Sequence, residues 1–340
     1  MTQKDITDEQ KAMLLSRWQA WNTFVSAQAN AGFMQSSWWA DFQTTIGREN
    51  FGTILRDGEA IVGGAVVLKF TYAPDKCYYY IPEGPVLPKD TSDAAQAFNN
   101  ILTFIEEKRK QEALIVSHLR IEPRWHSIPD FMHGFQKTGQ WFEPRDTLCI
   151  DLSLSETELL AQMKPKGRYN IGVARKCGVS IVEDTSLQGL EDFLRIYKDT
   201  ASRQDMSEKN SAYFRNLASM LHTLKCGALF FAEYQGIRLA TALVVYFGQR
   251  ATYFYGASLA LHRNVMAPYL LHFEIMCKAK ALGYEWYDLW GVNPQNQPNH
   301  PWANISAFKR KLGGQELAFV PTLDYVYDSV AYRQYRNKIA

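Results

Sequence analysis

Apolar residues along the chain follow two alternating rhythms. Over 8–29, Met13, Leu14, Trp18, Trp21 and Val25 recur at helical spacing and predict an opening amphipathic helix. Residues 53–56 and 60–70, bridged by Asp57-Gly58, read as a β-hairpin, and 76–81 as a third strand. A Ser or Asp cap opens an amphipathic helix over 92–110, after which 113–121 returns as a strand. These elements make one α/β unit.

A similar order then begins again. A strand at 148–152 and a short helix opened by Ser155 lead through a basic segment to a strand at 179–182. Helices near 187–203 and 212–224 follow, then strands at 228–234 and 238–247 with Gln235-Gly236 as a two-residue turn. A strand at 251–255, a helix near 267–282 and a strand at 286–289 come next. No close sequence repeat accompanies the echo. The expectation is an α/β (α+β) chain of two related domains with mixed sheets, the first over 1–147 and the second over 148–314. The apolar tail at 315–340 is expected to cross back and complete the first.

The basic segment, MKPKGRYNIGVARKCGVSI at 163–181, carries Lys164, Lys166, Arg168, Arg175 and Lys176 without one carboxylate. Pro165 suits the first turn of a helix and Gly178 the position just past its end. At about 100° per residue Arg168 and Arg175 share one stripe, and Tyr169 and Lys176 the next. Ile171, Val173 and Ala174 do not gather on one face, so the pattern predicts a helix that is not simply core. No interleaved Glu or Asp supplies i,i+4 pairs, and anion binding weighs evenly against a merely solvated helix.

Composition narrows the purpose of that charge. The chain has 340 residues, 46% hydrophobic and 21% charged, which is enough for two cores and excludes disordered and fibrous classes. Lys plus Arg (37) nearly balance Asp plus Glu (35), so no overall field draws in DNA and any anion site must be local. The N-terminus lacks the apolar run of a signal peptide, and the longest apolar runs, 65–68 and 242–247, are too short to span a bilayer. A cytoplasmic, soluble chain is expected. Five scattered cysteines (Cys77, Cys149, Cys177, Cys226, Cys277) form no CxxC pair, which argues against a disulfide scaffold or structural zinc. No metal or cofactor is expected.

Several motifs recur in a telling order. Phe33-Met34-Gln35-Ser36-Ser37-Trp38-Trp39 comes first, then the Gly-Pro turn of YYYIPEGPV, then the Lys-rich RYNI helix. Thr200 and Arg203 precede a helix with Tyr213 and Phe214, and YDLWGV and FKRKLGG close the series. Each is weak alone. In this order and spacing they resemble the Fem family (FemA, FemB, FemX) of nonribosomal peptidyltransferases, which add amino acids from aminoacyl-tRNA to peptidoglycan stem peptides. The resemblance covers most of the chain. It implies two tandem acetyltransferase-like (GNAT) domains in the compact FemX-like form, since no long charged helical insertion occurs in the second half.

The implied chemistry is interpeptide bridge formation in cell-wall biogenesis: the side-chain amine of a peptidoglycan peptide attacks the ester carbonyl of aminoacyl-tRNA. The donor is already activated, so positioning and oxyanion stabilisation carry most of the rate, without a covalent nucleophile. None is signalled, for there is no GxSxG elbow. Lys309 in FKRKLGG matches the family lysine near the reaction centre, with Lys311 as a competing register. Asp288 in YDLWGV is a candidate base or partner for Lys309, or a turn cap. Arg203 and Tyr213 suit substrate holding, and Tyr255 the mouth of a GNAT cleft or the core. Lys164, Lys166, Arg168, Tyr169, Arg175 and Lys176 are assigned to the tRNA acceptor end or precursor phosphates. The acceptor is a UDP-linked or lipid-linked muramyl peptide, the latter met by peripheral contact at a membrane surface.

Two positions depart from the family pattern. Asp41-Phe42-Gln43 stands where small members often carry Lys, and Glu83 where Arg often precedes the Gly-Pro turn. Both remove positive charge from the acceptor side, with Arg48, Lys69 and Lys89 as nearby substitutes. Three rival readings remain open: a Fem-like N-acyltransferase acting on another amine such as an exopolysaccharide component, an acyl-CoA N-acyltransferase, and a non-catalytic tRNA-binding protein. HRNVMAPYLLHF, with Pro268 and no glycine, offers CoA pyrophosphate no Gly-rich loop.

Overall fold

A hairpin forms where Asp57-Gly58 interrupts the apolar run. In the computed structural model, which describes residues 18–139, 141–204 and 209–339, β1 (Asn50–Asp57) and β2 (Ala60–Ala73) pair antiparallel from Asn50↔Leu68 to Asp57↔Ala60. The opening helix is described as α1 (Gln19–Ser26), with Trp21 and Val25 buried. Residues 8–17 of the expected helix, with Met13 and Leu14, lie outside the described residues. A second helix, α2 (Ser37–Thr45), has seven of its residues buried on all sides, so no apolar stripe announced it.

β3 (Lys76–Pro82), α3 (Thr91–Gln111), β4 (Ile115–Glu122) and the short β5 (Phe135–Lys137) follow. Asp90 caps α3 by accepting from the Ser92 and Asp93 N–H groups. Next come β6 (Asp146–Asp151), α4 (Glu156–Gln162) behind a Ser155/Glu158 capping box, α5 (Pro165–Cys177) and β7 (Ser180–Glu183). Then α6 (Leu187–Gln204), α7 (Ser211–Leu224), β8 (Gly227–Tyr234), β9 (Ile237–Phe247), β10 (Arg250–Ser258), α8 (Ala267–Ala281), β11 (Trp286–Gly291), α9 (Ala303–Lys309) and β12 (Gln315–Ala318). The tail forms β13 (Leu323–Val326) and α10 (Ser329–Ile339). Gln235 and Gly236 both take positive φ (51° and 76°), as a type I′ hairpin turn requires.

Two mixed sheets result, ordered β1-β2-β3-β4-β13-β5 and β12-β6-β11-β10-β9-β8-β7. They belong to two compact units: residues up to Arg145 together with those from Ala318 onward, and Asp146–Leu317. In the first unit β13 inserts between β4 and β5, and its fully buried Asp324 accepts two hydrogen bonds of 2.8 Å from Arg120 on β4. In the second, one sheet face joins α4, α5 and α8 in a continuous apolar cluster, while α6 and α7 pack against β8, β9 and β10. Among the described residues no helix is long and apolar enough to cross a membrane.

The basic helix corrects one sequence expectation. α5 does bury a face, made of Gly167, Asn170, Ile171 and Ala174, at i, i+3, i+4 and i+7. Apolar residues alone could not reveal it, because two of the four are Gly and Asn. A Cβ on Gly167 would lie 2.1 Å from the Lys311 carbonyl oxygen, so glycine is what lets α5 approach the segment after α9.

Candidate functional site

β10 and β11 run parallel but pair over only three positions, from Arg250↔Trp286 to Thr252↔Asp288. β10 then continues to Ser258 and β11 to Gly291, so the two strands part within the sheet. The corresponding parallel pair of the first unit, β3 and β4, stays paired from Lys76↔Ile115 to Pro82↔Glu122, through one register shift between Cys77 and Tyr79, and is closed by a Tyr80 to Glu122 hydrogen bond of 2.5 Å. An opening of this kind therefore belongs to the second unit.

Two bulges shape that opening. On β10, Tyr253 faces Val244 and Tyr255 faces Leu243, so one extra residue is inserted. Residues two apart on a strand normally share a face. Here Tyr253 turns toward α8, its ring 4.5 Å from that of His272, whereas Tyr255 turns toward α6 and α7, against Tyr197 and Phe214. On β11, Asp288 faces Cys149 and Gly291 faces Thr147, again one residue too many. The excess is absorbed at Trp290, which has φ 60°. That left-handed backbone costs a bulky residue about 1–2 kcal/mol.

Lys309, at the end of α9, is 6% exposed. Its Nζ donates to the Gly291 carbonyl at 2.8 Å and lies 5.6 Å from the centre of the Tyr253 ring. Burial lowers its pKa from 10.5 to about 7, and the negative charge of Asp288 opposes that shift. A cation that takes on and gives up its proton near neutrality is thus held beside the open strands. Lys311, the competing register, is half-exposed, and its backbone carbonyl accepts from the Lys164 N–H at 3.2 Å.

Asp288 is fully buried and accepts from the Trp290 N–H at 2.9 Å and from Thr147 Oγ1. The turn-cap and counter-charge roles coincide in one carboxylate. His272, buried on α8, shares a 2.8 Å hydrogen bond with Tyr287 Oη through Nδ1. Burial and the charge of Lys309 lower its pKa to about 3, so it is neutral.

Tyr213 and Tyr255 meet, with their hydroxyls 3.0 Å apart. Arg203 donates to Asp199 at 2.8 Å, to Thr200 at 3.3 Å and to the Ser258 carbonyl at the end of β10. These three residues gather around the far end of β10, on the side away from Tyr253 and Lys309. Sequence reasoning missed Thr147, Tyr253, His272 and Trp290. The bulges that position them leave no trace in periodicity, and His272 lies within the otherwise largely apolar α8.

The basic helix divides its charges. Arg168 donates to the Ala161 carbonyl at 3.0 Å and to that of Met163, closing the end of α4. Arg175 pairs with Glu274 of α8 at 3.1 Å, a partner that local spacing could not supply. Lys164, Lys166 and Lys176 are exposed, with Lys166 Nζ 5.1 Å from the centre of the Tyr169 ring. In the first unit Glu83 is buried, pairing with Arg124 at 3.0 Å and accepting from the Met34 N–H at 3.1 Å. The charge of Glu83 is therefore neutralised rather than presented. Lys69 is engaged by Glu49 and Glu112 and does not stand in for the missing cations, while Arg48 donates to Gln43 and covers Phe70.

Two mixed-sheet units in tandem, one with its central parallel strands parted beside a buried lysine, make up a tandem GNAT-like fold. Solved structures agree on the fold: a FemX crystal structure superposes with a TM-score of 0.82 at 19% identity, covering 93% of this chain and 97% of the other. A tandem GNAT protein from the clavulanic acid biosynthesis pathway gives 0.54 at 13% identity, covering 92% and 94%. The chain belongs to the FemAB family, whose model matches residues 131–223 and 216–337. It is an aminoacyltransferase. Similar proteins include the Lipid II:glycine glycyltransferases of Staphylococcus saprophyticus (22% identical, 94% of each chain) and Staphylococcus aureus USA300 (21%, 92% of each). The first alignment runs over 393 positions, more than the 340 residues here, so that relative carries segments this chain lacks.

Proposed function

We propose that the chain extends the stem peptide of a lipid-linked muramyl peptide by one or more amino acids taken from aminoacyl-tRNA, on the cytoplasmic side of the membrane. The amine of the acceptor attacks the ester carbonyl, a tetrahedral oxyanion forms, and the carbon–oxygen bond to the ribose breaks. The proton lost by the amine leaves on the ribose hydroxyl. Lys309 carries this reading. A buried ammonium with one hydrogen bond spent on Gly291 has two N–H groups left for an oxyanion, in surroundings where charge stabilisation is worth far more than in water.

Asp288 keeps part of the Lys309 population protonated at neutral pH. Tyr213, Tyr255 and Arg203 hold the acceptor, with Arg203 fixed in place by Asp199 and Ser258. Lys164, Lys166, Lys176 and Tyr169 form an exposed basic and aromatic strip for the tRNA acceptor end, while Arg168 and Arg175 brace the helix that bears it. The relatives named for lipid II support the lipid-linked acceptor over the UDP-linked one.

The test is a transfer assay with purified protein, a pool of radiolabelled aminoacyl-tRNAs, and both lipid-linked and UDP-linked muramyl peptides. Label in the lipid-linked acceptor, lost with Lys309→Ala, is the expected result. Binding of aminoacyl-tRNA without transfer to either acceptor sinks the proposal and favours another amine as acceptor.

A further inference from the structure

The first unit carries two stretches without a carboxylate, HGFQKTGQWF at 133–142 and SVAYRQYRNKI in α10. The fold sets them side by side. Arg336 of α10 donates to Thr138, and Arg333, one turn back, shares that face of the helix. The Phe142 ring lies 6.4 Å from that of Tyr78 at 2° between planes, and Tyr335 of α10 lies 5.0 Å from the same ring. The Arg120 guanidinium is 5.4 Å from both Phe142 and Tyr335. Lys137, Arg333 and Lys338 are exposed, with Lys338 donating to the Tyr72 carbonyl at 2.5 Å. The flanking carboxylates are Asp130, Glu143 and Asp328, the last occupied in capping α10.

Trp141 and Phe142 are 45% and 48% exposed. Two adjacent large aromatics standing in water need a reason. They are held there: buried Glu122 accepts from the Phe142 and Glu143 N–H groups at 2.8 and 2.9 Å and from the Tyr80 and Thr322 hydroxyls. Phe142 also rests one face on Phe70, 5.9 Å away at 14°. An aromatic pair is thus presented from a fixed base among cations.

We propose that Trp141 and Phe142, with Lys137, Arg333 and Lys338 around them, form a docking surface for a bilayer that contains anionic lipid. Amphipathic rings settle at the level of the headgroups, and neighbouring Lys and Arg add attraction to anionic ones. Transfer RNA would meet the same cations but would have to unstack bases to use the rings, whereas a headgroup layer takes up both without that cost. The proposal takes from the transferase reading only that the acceptor is lipid-linked, and it is tested without that acceptor.

The experiment is cosedimentation of the purified protein with vesicles of phosphatidylcholine alone, or with about 30% phosphatidylglycerol added. The parent binds the mixed vesicles more tightly and is released by salt. Trp141→Ala weakens that binding about tenfold. Lys137→Gln with Arg333→Gln weakens it about fivefold for each charge and leaves binding to phosphatidylcholine alone unchanged. Lys108→Gln with Lys110→Gln removes as many charges from α3, which packs on the opposite face of the sheet, and costs less than about twofold. A parent that stays in the supernatant with mixed vesicles overturns the docking surface and leaves the transferase reading standing. Equal losses in the α3 and patch variants, or full binding by Trp141→Ala, also overturn it. Weakened tRNA binding by the patch variants, with vesicle binding intact, reassigns the surface to nucleic acid. Vesicle binding by a parent that transfers nothing in the assay above sinks the transferase reading alone.

Discussion

Replacing Lys309 with methionine separates what the amine does for the reaction from what it costs the fold. The unfolded chain holds the Lys309 proton up to about pH 10.5, whereas the folded chain releases it near pH 7. Between those values the unfolded state binds more protons, so the stability of the second unit rises with pH across that window and is lowest below pH 7. The fall from 10.5 to about 7 corresponds to about 5 kcal/mol at roughly 1.4 kcal/mol per pH unit. Methionine fills similar space and carries no proton. It leaves the Gly291 carbonyl without the Lys309 donor, at about 1–2 kcal/mol. The variant is therefore expected to be more stable than the parent at pH 7 by about 2–4 kcal/mol and to lose the rise of stability with pH. Its kcat should fall about 100- to 1,000-fold, as when an oxyanion donor is removed. Urea unfolding followed by tryptophan fluorescence at several pH values, beside the transfer assay, reads both effects. A variant less stable than the parent at pH 7, with the parent's pH slope unchanged, refutes the burial argument even if activity is lost.

Other consequences are open to simpler measurements. Asp288→Asn removes the charge that raises the Lys309 pKa, so the flattening of log kcat/KM expected above about pH 7 in the parent should move to lower pH. An unmoved break would separate the two residues. Gly167→Ala places a Cβ 2.1 Å from the Lys311 carbonyl and should destabilise the second unit by about 1–3 kcal/mol, seen as a lower melting temperature. Changing Lys164, Lys166 and Lys176 together to Gln should weaken tRNA binding for any tRNA sequence and reduce the salt slope by about one for each phosphate no longer neutralised. Arg175→Gln should leave stability within about 0.5 kcal/mol, since its pair with Glu274 is half exposed.

Local chemistry made much of the fold legible. Alternation and turn residues located the β1–β2 and β8–β9 hairpins, side-chain caps located α3 and α4, and the ordered motifs from Phe33 to Gly314 pointed to the family. These signals act between residues close in sequence, where the chain determines its own backbone preference. Lys309 and Asp288 could be named from YDLWGV and FKRKLGG. What those residues have become could not, because a pKa near 7 depends on which distant side chains exclude water around an amine. The one-residue excess on β10 and on β11 exists only relative to a partner strand, so the opposite facing of Tyr253 and Tyr255, and the turn at Trp290, had no local signature. The same holds for the cations that changed role: Arg175 found Glu274 and Lys69 found Glu49 and Glu112, across 99, 20 and 43 residues of chain. Sequence by itself determined most of the elements and their order, and named Lys309 and Asp288 as candidates, but not α2, Thr147, Tyr253, His272 or Trp290. Tertiary structure alone decided which charges are neutralised and which stay available, because burial and long-range pairing set the energy of a charge and neither is a property of sequence neighbours.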